Sequence, residues 1–130
     1  MTTSVSYLVD SDVLIEVSRG KHAAREYFDS LPVWWAISRV SAMELIVGAR
    51  DKREVDNIHK FLSGFAILPF GDSTGTLAYE LLKRHAKSHG LQVFDSLIAA
   101  TAIENNLTLM TRNQRHFDMI DGLSLEIPKY

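Results

Sequence analysis

The chain has 130 residues, 46% of them hydrophobic and 23% charged, a size and balance that build one soluble core rather than two. Fourteen basic residues against sixteen acidic ones give a formal net charge of −2, which rules out a polycationic tail and leaves any phosphate recognition to local groups. The absence of cysteine excludes a disulfide framework, a thiolate zinc site and a cysteine nucleophile, and agrees with a reducing cytoplasm.

In chain order, Val5 to Val9 is β-branched and aromatic enough for a strand, and it stops at Asp10-Ser11-Asp12, residues that favour turns. Val13 to Ser18 suits a strand or a helix; Gly20, placed as a helix C-cap, decides for a short helix. Lys21 to Leu31 carries Ala24, Tyr27, Phe28 and Leu31 at helical spacing and ends before Pro32. Val33 to Ser38 reads as a second strand, followed by a helix from Ser38 or Ser41 with Met43, Ile46 and Val47 on one face. A charged helix from Lys52 to Leu62 closes at Gly64, and Ala66 to Pro69 is a short third strand. Asp72 is placed to cap a long helix that reaches Ser88 and stops at Gly90. A last helix runs from Asp95 to Asn105, then Leu107 to Met110 forms a fourth strand and Leu125 to Ile127 a fifth.

Strands alternate with helices and no tight hairpin joins two strands, so the pattern predicts an α/β fold: a mostly parallel sheet of four to five strands with helices on both faces, one domain over residues 1–130. No run approaches the roughly 18 apolar residues of a spanning helix, and Met1-Thr2-Thr3-Ser4 shows no charged n-region before an apolar stretch. A soluble, membrane-free protein is expected.

Working groups of such sheets lie beyond the carboxyl ends of the strands. That edge receives Asp10 and Asp12 after the first strand, and Thr111, Arg112 and Asn113 after the fourth; Glu44 and Asp95 lie early in helices. Two carboxylates about 5 Å apart repel by roughly 3 kcal/mol at an effective dielectric of about 20, so several together need a proton or a cation. Mg²⁺ or Mn²⁺ suits an all-oxygen setting. Each acid also has a structural reading: Asp10 and Asp12 as turn or cap residues, Glu44 as the partner of Ser41 in a capping box, Asp95 as an N-cap.

The flanking residues carry a resemblance. Tyr7-Leu8-Val9-Asp10-Ser11-Asp12-Val13-Leu14-Ile15, Ser41-Ala42-Met43-Glu44-Leu45-Ile46-Val47-Gly48-Ala49 and Phe94-Asp95-Ser96-Leu97-Ile98-Ala99-Ala100-Thr101-Ala102 resemble, in order and spacing, three motifs of the PIN domains, especially the VapC-type ribonuclease toxins of toxin–antitoxin pairs. The resemblance spans essentially the whole chain and implies a PIN-like three-layer sandwich and a metal-dependent endoribonuclease. It implies Asp10, Glu44 and Asp95 as ligands of Mg²⁺ or Mn²⁺, an RNA substrate, a cognate VapB-like antitoxin and a homodimer. The antitoxin would cover the cleft and could send an arginine into it. The apolar faces of the Lys21 to Leu31 or Ser41 to Arg50 helices are candidate dimer surfaces.

The fourth motif departs from the acidic form: Leu109-Met110-Thr111-Arg112-Asn113-Gln114-Arg115-His116-Phe117 has Asn113 and His116 where many relatives carry aspartate. Asn113 is retained as a catalytic candidate that offers a carbonyl oxygen, Asp118 as a substitute if its loop turns it inwards. Asp12, Thr111, Arg112 and Arg115 are candidates to hold substrate. His22, His59, His85 and His89 read as solvated, and Trp34 and Trp35 as packing residues. Two rival functions stand beside the nuclease: a degenerate PIN module that binds RNA or a partner without cutting, and a haloacid-dehalogenase-like phosphatase, suggested by Asp10-x-Asp12 and Gly71-Asp72.

Overall fold

The structure is a computed structural model, and it describes residues 6–31 and 33–130. Val5, expected to open the first strand, and Pro32, expected to end a helix, lie outside the described residues. The elements run β1 (Tyr7–Val9), α1 (Ser11–Ser18), α2 (His22–Ser30), β2 (Trp35–Ser38), α3 (Arg39–Val47), α4 (Lys52–Leu62), β3 (Ile67–Leu68), α5 (Asp72–His89), α6 (Val93–Glu104), β4 (Thr108–Met110) and β5 (Leu125–Glu126). A single 3₁₀ turn, Gln114–His116, follows β4.

All strand pairs are parallel, in the order β3-β2-β1-β4-β5. The chain builds outwards from β1 to β2 and β3, then returns to the other side of β1 to add β4 and β5. The reversal falls between β1 and β4, and a crevice opens where connections leave a parallel sheet in opposite directions. Register makes the position specific. Val9 aligns with Met110 and Leu8 with Ala36, so Asp10 and Thr111 emerge side by side, with the Asp10 amide donating to the Met110 carbonyl at 2.9 Å.

Alternation along the strands sorts the core into two layers. Leu8 and Leu109, aligned with each other, face the cluster built by Ala78 and Leu81 of α5 and Ile98, Ala99 and Ala102 of α6. Tyr7, Val9, Ile37 and Met110 face the opposite cluster, with Val13, Leu14 and Val17 of α1, Phe28 of α2, Leu45 of α3 and Leu62 of α4. Burial of each large aliphatic side chain contributes roughly 1.5–3 kcal/mol, which is why strands of two to four residues suffice.

Helix boundaries follow their caps. Ser38 caps α3 by accepting from the Ser41 amide at 3.0 Å, and Asp51 caps α4 by accepting from the Glu54 amide at 2.8 Å. The ambiguous Val13 to Ser18 segment is helical because Asp10 is its N-cap, while Val13, Leu14 and Val17 share a buried stripe. Gly71 rather than Asp72 caps α5; Asp72 sits in the first turn, where a negative charge still meets the helix dipole. Gly90 ends α5 at φ 73°, a left-handed position that suits glycine.

Two packing expectations need adjusting. His85 is half-buried with an Nδ1 that has no partner among the described residues, instead of being solvated. Trp35 packs between Phe28 and Phe65, ring centroids 5.0 Å from each, whereas Trp34 is half exposed. Among the described residues, no helix is long and apolar enough to cross a membrane.

Candidate metal and active site

Four elements deliver acids to the crevice. Asp10 leaves β1 and is 5% exposed. One of its oxygens accepts from the Ser11 amide at 2.8 Å, so its capping role is real; the other accepts from the buried Thr111 hydroxyl at 2.8 Å. Asp12, in the first turn of α1, accepts from the Val13 amide at 2.7 Å through Oδ1. Its Oδ2 accepts from the Arg112 amide and from the Asn113 side-chain amide, each at 3.1 Å. The turn after β4 is thus fastened to α1 through one carboxylate.

Glu44 is not in a capping box. Its helix is capped by Ser38, and Glu44 instead accepts from the Ser11 hydroxyl at 3.1 Å, which joins α3 to the turn after β1. Asp95 is not an N-cap: Gln92 holds that position, and Asp95 Oδ2 lies 3.4 Å from His116 Nδ1.

All four carboxyls are raised above their ordinary pKa values, chiefly because burial strips water from the charged form. They also feel one another. Asp12 and Asp95 help push Asp10 up to about 7, against the lowering effect of Thr111 and Ser11. Asp95 and Asp12 raise Glu44, and Asp12 raises Asp95, which His116 partly offsets. Among the described residues no three acidic or histidine side chains converge on one centre as a ready-made chelate; each carboxyl is parked on a protein donor, as mutually repelling acids should be. The donors themselves fit a hard cation, being all oxygen, desolvated and several charges strong.

The fourth motif divides. Thr111 lies inside the cluster, whereas Asn113 is exposed and contributes its amide nitrogen to Asp12. Arg112 does not reach into the crevice as a free cation: its Nε pairs with Glu16 at 3.0 Å, and its guanidinium lies 4.6 Å from the Tyr130 ring centroid. Arg115 is exposed and forms no ion pair among the described residues. Asp118 is exposed, and its amide donates to Gln114 at 2.8 Å; the inward turn its candidacy required is not made. Asp72 is exposed on α5 and is not among the charges that act on Asp10, Asp12, Glu44 or Asp95, so the acidic pair that suggested a phosphatase is not assembled with them.

Sequence reasoning missed Ser11, Glu16 and Tyr130. Ser11 could have been suspected from its place between two candidate acids. Glu16 stands four residues after Asp12, on the same face of α1, and that spacing was its available signal. Tyr130 had none.

A family model for the PIN domain matches residues 7–123. Ribonuclease VapC10 of Mycobacterium tuberculosis is 41% identical over 123 residues, 89% of each chain. A toxin–antitoxin complex from Klebsiella pneumoniae contains a chain 28% identical to this one, with a TM-score of 0.75 and coverage of 97% here and 98% there. The VapBC2 complex of Rickettsia felis, solved on a DNA fragment from its promoter, contains a chain 26% identical, with a TM-score of 0.78 and coverage of 95% and 98%. With the acids of its three motifs gathered at one sheet edge and a family match over nearly its full length, the chain belongs to the PIN-domain family, in its VapC group.

Proposed function

We propose that the protein is a Mg²⁺- or Mn²⁺-dependent endoribonuclease of the VapC toxin type, held in check by a VapB-like antitoxin. The carrying observation is the set of four desolvated, mutually repelling carboxyls at the β1/β4 switch point, a costly arrangement that a hard cation relieves. The M. tuberculosis relative is named a ribonuclease, and the K. pneumoniae and R. felis structures are toxin–antitoxin complexes; these names support the reading.

Asp10, Glu44 and Asp95 would hold the ion. When bound, the ion supplies Lewis acidity to the scissile phosphate and lowers the pKa of a nucleophilic water. The chain's own groups do the rest. The Ser11 amide and the Thr111 hydroxyl fix the two oxygens of Asp10, the Ser11 hydroxyl aims Glu44, and Asp12 holds the turn that carries Thr111 and Asn113. Arg115, exposed in the 3₁₀ turn after β4 and without an ion pair among the described residues, is a cation that could meet a phosphate. In-line hydrolysis leaves a 5′-phosphate and a 3′-hydroxyl.

The antitoxin would cover this crevice and could neutralise the acids with an arginine. For the homodimer, burial separates the two expected surfaces. Ala24 and Phe28 of α2 are spent inside the core, whereas Met43 and Val47 of α3 are 52% and 84% exposed, so we assign dimer contact to α3. Incubation of purified protein with RNA in Mg²⁺ or EDTA, with mapping of the new ends, tests the reading. Cleavage only with the ion, leaving 5′-phosphates, is expected; RNA binding without cleavage in Mg²⁺ and in Mn²⁺ would replace it with a non-catalytic module.

A further inference from the structure

Asp12 and Glu16, one helical turn apart on α1, grip a single residue of the turn after β4. Asp12 accepts from the backbone amide of Arg112 at 3.1 Å, and Glu16 accepts from its side-chain Nε at 3.0 Å. Glu16 also accepts from the Tyr130 hydroxyl, and its second oxygen lies 3.1 Å from Lys21 Nζ. Tyr130 lies against the Arg112 guanidinium and packs on Tyr27, ring centroids 5.3 Å apart. Three donors, from the residue before α2, the turn after β4 and the segment that follows β5, therefore meet at one carboxylate of α1. Beyond Arg112 the same turn supplies the Thr111 hydroxyl to Asp10 and the Asn113 amide to Asp12.

We propose that Glu16, Arg112 and Tyr130 form a clasp that positions the Thr111–Asn113 turn, and through it Asp10 and Asp12, so that Arg112 is a positioning residue and not a substrate contact. This rests on the nuclease reading for its catalytic consequence, though not for its structural one. An arginine held by a carboxylate and stacked on an aromatic face has its donors oriented and largely spent, which leaves little for a phosphate. Burial alone would raise Glu16, but the hydrogen bonds from Tyr130, Arg112 and Lys21 outweigh it and hold the group at about 2; the clasp therefore stays charged at any working pH. Networks of this kind lose more than one contact when a member is removed, and small misplacements of reacting groups cost about 10²-fold in rate.

The test compares wild type with Glu16→Gln, Tyr130→Phe and, as a distant control on α5, Lys83→Ala. Amide exchange is followed by NMR in metal-free protein, and kcat and KM are measured on an RNA substrate with Mg²⁺. The clasp predicts at least tenfold faster exchange at the Arg112 and Asn113 amides in both clasp variants, with the Leu109 amide of β4 unchanged. It also predicts kcat lowered about tenfold with KM within about twofold, and a control that matches wild type. Tyr130→Phe removes one hydroxyl and keeps the ring, so it carries the test if Glu16→Gln fails to fold. Unchanged exchange at both amides in a folded variant overturns the clasp, and so does a raised KM at constant kcat, which would mark Glu16 and Tyr130 as serving substrate binding and not the placing of the turn. If wild type does not cleave RNA, the nuclease reading fails while the exchange rates still decide the clasp.

Discussion

Replacing Asp10 with asparagine should stabilise the metal-free protein at alkaline pH, and the size of the effect follows from the site. The Asp10 carboxyl is raised from 3.8 to about 7, first by burial and then by Asp12. Between those values the folded protein holds a proton that the unfolded chain has released, so stability falls as pH rises through this window. Each pKa unit is worth about 1.36 kcal/mol, and about two of the units lie between pH 5 and pH 7. Wild type should therefore lose about 3 kcal/mol more than Asp10→Asn between pH 5 and pH 8. Asp12, Glu44 and Asp95 are also raised, and because Asp12 and Asp95 are coupled to Asp10 the difference between the two proteins reports the loss of the Asp10 carboxyl together with its repulsion of those neighbours. The asparagine oxygen can still accept from Ser11, at a loss of about 1 kcal/mol for exchanging a charged acceptor for a neutral one. Urea unfolding in EDTA at the two pH values measures the result. Parallel pH dependence in the two proteins, or an Asp10→Asn variant less stable than wild type at pH 8, would refute the reasoning. Mn²⁺ should then restore wild type at pH 8 and leave the variant nearly unmoved.

Asn113→Asp replaces a donor to Asp12 with a like charge, so it should cost about 1 kcal/mol without metal at pH 8 and raise Mn²⁺ affinity in calorimetry; unchanged affinity would mean that this side chain stays out of the ion's reach. Leu109→Ala, in the fully buried centre of the sheet, should cost about 2–5 kcal/mol in urea unfolding. Gly90→Ala must hold alanine at φ 73° and should cost about 1 kcal/mol by the same measurement. Light scattering at tens of micromolar should show a dimer, and Val47→Glu on the exposed face of α3 should return it to monomer with the melting curve of the subunit intact.

What the sequence disclosed, and what it hid, divides by range. Elements were legible because their signals are local: the strand that stops at Asp10, the charged Lys52 to Leu62 helix, and the glycine that ends α5. The parallel sheet followed from alternation, and the acids of the crevice followed from strand ends and motif order. Partners across the chain were not legible. Ser11 meets Glu44 across 33 residues and Arg112 meets Glu16 across 96; neither spacing leaves a periodic trace. Local rules also misassigned roles that only packing decides. Glu44 three residues after Ser41 matches a capping box, yet the Ser38 cap lies one turn earlier, which frees Glu44 to turn towards β1. An arginine beside an acidic site suggests phosphate binding, yet Glu16 and Tyr130 claim it.

On the proposed function, Asp10 and Asp95 convert a repulsive acidic cluster into a working nuclease by holding a divalent ion. Single-turnover cleavage of RNA by wild type, Asp10→Asn and Asp95→Asn, each in Mg²⁺ and in EDTA with folding checked by circular dichroism, tests it most directly. Wild type should cleave in Mg²⁺ alone, and either variant should lose at least about 10²-fold with the fold intact. Cleavage by both variants within a few-fold of wild type, or by wild type undiminished in EDTA, would contradict it.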